Sequence, residues 1–166
     1  HEVNCWGGGN NEEQCYVDER KNSYVENGSL HLVAIADQPS GAIGGPSNDQ
    51  TVITKGHSSA RLVSQGLAHW TYGRMEVRAK LPCGQGLWPA IWMMPQDSEY
   101  GRWAASGEID IMEAVNLDCD ADAHEVHGTL HYGGAWRHNV HTGTSTMTQS
   151  SAVTDFHEFA IEWEPG

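Results

Sequence analysis

The sequence predicts an all-β chain folded as a two-sheet sandwich, and three observations carry that prediction. Strand-like segments recur with turn signals between them, no window shows helical periodicity, and 19 glycines among 166 residues mark frequent changes of direction. Strands with one apolar face bury it by packing sheet on sheet. The length suits one domain, 1–166, with a sizeable core.

Each element has its own signal. Ser23–Glu26 and 29–36 flank Asn27-Gly28, the dipeptide that tolerates the positive φ angles of a tight hairpin. Asn27-Gly28-Ser29 also matches the N-glycosylation acceptor, but the turn is the preferred reading. Residues 73–81 alternate, with Met75, Val77, Ala79 and Leu81 on one face and Arg74, Glu76, Arg78 and Lys80 on the other. Segments 87–94 and 107–115 are more continuously apolar, as strands covered on both sides are, and Glu125–Tyr132 follows. The stretches 37–49, 95–106 and 133–154, rich in Gly, Pro and Ser, read as long loops of the kind that wall a binding site. The last strand places Phe159, Ile161 and Trp163 on one face and runs into Pro165-Gly166. A long apolar strand without a return partner invites pairing from elsewhere, so the expectation is a fragment completed by a further segment or a second chain.

Charge and cysteines narrow the function. Twenty-two acids against nine bases give a net charge of −13, which disfavours nucleic acid, anionic membranes and sulfated polymers and points to a neutral ligand. No run of 18 apolar residues is present, so no membrane span is expected. Cys5, Cys15, Cys83 and Cys119 form an even set without C-x-x-C spacing, which favours disulfides in an oxidising compartment, secreted or periplasmic, over a zinc cluster. Three pairings are open.

The chemistry is concentrated in Ser106-Gly107-Glu108-Ile109-Asp110-Ile111-Met112-Glu113-Ala114. Burying three acids together is costly and is rarely done without a chemical use. Side chains of a strand alternate, so Glu108 and Asp110 share a face while Glu113, five positions on, points away. One extra residue at Ile111-Met112, a β-bulge, returns Glu113 to the face of the other two. Two glutamates about 5–5.5 Å apart suit a double displacement at an anomeric carbon, one as nucleophile and one as acid/base. The apolar flanks Ile109, Ile111, Met112 and Val115 argue against a merely solvated acidic face.

Neighbouring segments offer surfaces for a sugar. Trp88 and Trp92, four apart, share a strand face as core or as platform. Trp103, in the loop entering the acidic strand, has little reason to be core and suits a cleft wall; Trp136, in a Gly-rich loop, is a weaker candidate. In His124-Glu125-Val126-His127-Gly128 the fourth position after His124 is glycine and the segment is strand-like, so a zinc-protease reading fails. His127, Thr129 and His131 share a face, where His131 either hydrogen-bonds a carboxyl or sugar hydroxyl or is a satisfied core histidine.

Five ordered motifs carry a resemblance. Asn10-Asn11-Glu12-Glu13-Gln14-Cys15-Tyr16, Tyr72-Gly73-Arg74-Met75-Glu76-Val77-Arg78-Ala79-Lys80-Leu81-Pro82, the run from Gly86 to Pro95, Ser106 to Glu113, and Gly128-Thr129-Leu130-His131-Tyr132-Gly133 resemble the laminarinase-like endo-β-1,3-glucanases of glycoside hydrolase family 16. The resemblance implies a concanavalin A-like jelly roll with sugar in a concave cleft, Glu108 as nucleophile, Asp110 as assisting carboxylate and Glu113 as acid/base. It places Trp88, Trp92, Trp103, His131 and Asn11 at sugar subsites. Ala104 departs from the proline that often follows this tryptophan in relatives. Relatives begin before Trp6 and continue beyond Phe159-Ala160-Ile161-Glu162-Trp163, which implies missing strands at both termini.

The expected activity is retaining endo-hydrolysis of neutral β-1,3-glucan, or of mixed β-1,3/1,4-glucan. A non-catalytic glucan-binding protein and a transglycosylase are the alternatives. No cofactor or metal is expected, because the calcium often bound in relatives uses terminal segments outside this sequence.

Overall fold

The computed structural model describes residues 1–165; Gly166, the end of the C-terminal turn signal, lies outside the described residues. The chain forms two compact units, His1–Leu67 and Ala68–Gly166. All regular structure among the described residues is β, apart from single 3-10 turns at Gly7–Gly9 and Gly45–Ser47.

In the first unit, β1 (Gln14–Tyr16) pairs in parallel with β6 (His57–Ser59). Strands β2 (Ser23–Glu26) and β3 (Ser29–Leu32) form the hairpin that Asn27-Gly28 predicts. Its turn residues have φ of 50° and 79°, the left-handed geometry that matches strand twist. The second strand stops at Leu32, short of 36. Strands β4 (Ser40–Gly44) and β5 (Asp49–Thr54) form another hairpin, so 37–49 is a strand and turn rather than a long loop. Cys5–Cys15 staples this unit.

The second unit has two layers. Strand β7 (Gly73–Ala79) pairs antiparallel with β12 (His157–Trp163) over all seven residues with unbroken register. The other layer is a four-stranded sheet ordered β11 (Val140–Met147), β10 (Glu125–Tyr132), β9 (Glu108–Glu113), β8 (Ala90–Met93). Leu81, Met112, Ala114, Leu117, Val126, Ala152 and Phe159 make the core, with Ala79, Ile91 and Ile111 packed against it. Met112 from the sheet and Phe159 from β12 thus bury against one cluster, and burial of such side chains stabilises by about 1.5–3 kcal/mol each. Cys83–Cys119 closes a 36-residue loop beside it, leaving no free cysteine.

His124 is the satisfied core histidine of this unit. Its Nδ1 accepts from the Ala152 amide at 3.1 Å, so the ring proton resides on Nε2, which donates to the Asp118 carbonyl at 2.7 Å.

The stretch 133–154 is the main departure from the sequence reading, because it contains β11, an eight-residue strand exposed along its length. Val140, Thr142, Thr144 and Thr146 lie on one face, and His141, Gly143, Ser145 and Met147 on the other. Neither face is consistently apolar, so the usual alternation is absent although β-branched residues recur. By contrast, 95–106 is a loop as expected.

Candidate active site

The three acids lie on β9, the second strand from one edge of the four-stranded sheet, and both neighbours show the bulge. Against β10, Glu113 pairs with His127 but Asp110 with Thr129, so three steps on β9 meet two on its partner. Against β8, Met112 pairs with Ile91 and Asp110 with Trp92, leaving Ile111 as the extra residue. Ile111 and Met112 consequently both pack toward the core, and Glu108, Asp110 and Glu113 share the opposite face. The β10 partners of Glu108 and Glu113 are four residues apart, so their backbones are separated by about 13 Å. Asp110 lies between them and feels the charges of both.

Asp110 is the buried member, only 5% exposed. Burial, then the charges of Glu108 and Glu113 and a hydrogen bond with Glu108, push its carboxyl up to about 8. Of the three carboxyls the buried one is the readiest to take up a proton, with Glu108 as its hydrogen-bond partner. Its Oδ2 lies 3.3 Å from His131 Nε2. His131 therefore sits beside the Asp110 carboxyl.

Each glutamate is held by an indole. Trp88 Nε1 donates to Glu113 Oε1 at 2.9 Å, and Trp103 Nε1 donates to Glu108 Oε2. Trp88 precedes β8 rather than standing in it, since the 87–94 segment is a strand only from Ala90. Trp92 pairs directly across from Asp110, which puts it on the acidic face. The Trp103 ring also lies 5.5 Å from that of His131. One sheet face thus gathers Trp88, Trp92, Trp103 and His131 around the acids. Asn11 belongs to the first unit, at a turn with φ of 58°.

One neighbour, His141, escaped the sequence reading, and the weaker candidate Trp136 lies beside Trp103. His141 on β11 lies 5.7 Å from the His131 ring, and Trp136 lies 6.0 Å from the Trp103 ring. The regularly spaced threonines of β11 were the available signal for the first; the proximity of Trp136 had none, because it depends on how two loops meet.

Glu108, Asp110 and His131 bring one ligand-type atom each within 4.8 Å of one another, the set among the described residues that could hold a cation. A double displacement at a sugar would need only the carboxyls of this grouping.

The family model described as glycosyl hydrolases family 16 matches residues 10–166. The chain is 41% identical over 169 residues to a beta-glucanase of Rhodothermus marinus, covering 99% of this chain and 53% of that protein. It is 40% identical over 166 residues to a glucan endo-1,3-beta-glucosidase of Cryptopygus antarcticus, covering 99% and 56%. The solved laminarinase catalytic domain of Thermotoga maritima MSB8 superposes with a TM-score of 0.75 at 34% identity, covering 98% of this chain and 62% of that one. The chain thus spans little more than half the length of these curated relatives. With the layered second unit, the likeness bears out the all-β jelly-roll sandwich. The chain belongs to glycosyl hydrolases family 16.

Proposed function

We propose that this chain carries the catalytic site of a secreted or periplasmic endo-glucanase that cleaves β-1,3-glucan with retention of configuration. The observation that carries the reading is the bulge at Ile111, which brings Glu108, Asp110 and Glu113 to one face with an indole N–H on each glutamate. The net charge of −13 disfavours sulfated substrates, the names of the relatives point to β-glucan, and two disulfides favour an oxidising compartment. Trp88, Trp92, Trp103 and His131 serve as the walls of the sugar site. The reaction in this reading uses no cofactor.

Catalysis runs in two displacements. The first step requires a proton on Glu113, which passes to the glycosidic oxygen as the C1–O bond breaks, while the Glu108 carboxylate attacks C1 to form a glycosyl ester. Glu113, now ionised, takes a proton from water; the hydroxyl oxygen bonds C1 and Glu108 leaves as carboxylate. Asp110, protonated and hydrogen-bonded to Glu108, stabilises that carboxylate before attack and as it departs.

The test is cleavage of laminarin by the full protein, followed as new reducing ends. Glu108→Gly should lower turnover by about 10⁴-fold or more, and azide should restore it with a product of inverted configuration. Undiminished turnover in the variant overturns the nucleophile assignment; glucan binding without cleavage by the parent overturns the enzyme reading.

A further inference from the structure

Trp136 is 68% exposed, yet its indole is not on a loose tip. Its loop turns at Gly133, with φ of 88°, and passes Gly134, where a Cβ would come within 3.0 Å of the His138 carbonyl oxygen. The His138 amide closes the loop on the Ala135 carbonyl at 2.9 Å. Two more backbone bonds tie the loop to the approach of the catalytic strand: the Ala104 amide to the Gly134 carbonyl at 3.1 Å, and the Trp136 amide to the Trp103 carbonyl at 3.0 Å. The loop therefore holds a large apolar ring in water beside Trp103.

The rings follow one another. Trp136 lies 6.0 Å from Trp103 at a tilt of 39°, Trp103 lies 5.5 Å from His131, and the Trp103 N–H reaches Glu108. Core packing does not account for Trp136, which leaves most of its surface outside. The flat apolar face of a glucosyl ring fits it, because indole pairs apolar area with little conformational freedom to lose.

We infer that Trp136 is a sugar-binding platform that stacks a glucosyl unit outside the one being cleaved, on the Glu108 side of the site. The inference rests on the glucanase reading above. Its contact is remote from the reacting carbon and equal in the ground and transition states, so it governs how tightly long chains bind rather than how fast a bound one reacts.

The experiment uses the full protein. With Glu113→Gln added to stop turnover, calorimetric titration with laminarihexaose should show Trp136→Ala weakening binding about tenfold, with Trp136→Phe recovering most of the loss. In the otherwise unmodified enzyme, Trp136→Ala should raise KM for laminarin by a similar factor and leave kcat within about twofold. Unchanged hexaose affinity in Trp136→Ala, or a fall in kcat without a change in affinity, overturns the platform and leaves the glucanase reading standing. Failure of the parent background to bind hexaose overturns the glucanase reading and the platform together.

Discussion

Strands β12 and β9 both contribute to the core of the second unit, but they are built to different rules. Strand β12 pairs with β7 through seven consecutive residues without a slip, and Phe159, Ile161 and Trp163 recur at every second position. Strand β9 slips against both neighbours at Ile111. The regular strand devotes one face to burial and the other to solvent. The bulged strand sends two successive residues, Ile111 and Met112, into the apolar layer and so frees its opposite face for three acids. The interruption lets a single strand anchor the core and carry a crowded charged site.

The sharpest way to break this contrast is to exchange the two residues after the bulge, Met112→Glu with Glu113→Met. The carboxylate would then point among Leu81, Ala114, Val126 and Phe159, and the proposed acid/base would be lost from the site. Turnover should fall by about 10²–10⁴-fold and stability by about 3–5 kcal/mol, the cost of an unpaired buried charge. Laminarin hydrolysis and urea unfolding read the two effects, and retained activity would show that the bulge does not set the face of Glu113.

Truncation on the regular strand tests the other half. Phe159→Ala should destabilise by about 3–5 kcal/mol through the cavity it leaves, while kcat of the folded protein stays within about twofold. A loss of turnover at full folding would mean that β12 positions the site as well as supporting it.

A change in pH dependence is expected from the proton on Asp110. Its carboxyl is raised from 3.8 to about 8, so between those pH values the folded protein holds a proton that the unfolded chain releases. Its stabilising contribution is complete below about pH 4 and is lost as pH rises toward 8, at up to about 1.4 kcal/mol per pH unit. Asp110→Asn should remove that slope from urea unfolding measured at pH 5, 6.5 and 8. An unaltered slope would place the titration on another group and leave the charge balance of the acidic strand unexplained.

Much of the molecule is legible where the signal lies in adjacent residues. The alternation of 73–81 and of the last strand, the Asn27-Gly28 turn and the five-residue step from Glu108 to Glu113 each state a local geometry, and the structure has all four. The bulge can be read because the spacing of the acids and the parity of a strand conflict unless a residue is added.

What the chain order could not supply belongs to contacts between distant segments. Strand β11 is exposed and polar on both faces, so no alternation marks it, and its identity comes from the hydrogen-bonded ladder with β10. The pairing of Cys83 with Cys119, the indole that each glutamate receives, and the approach of Trp136 to Trp103 follow from segments distant in sequence meeting in the folded structure. The elevated carboxyl of Asp110 is of the same kind. Sequence determines that three acids share a face; only the packed structure decides which one is driest and most hemmed by its neighbours' charges, because burial and Coulomb energy depend on distances through space rather than along the chain.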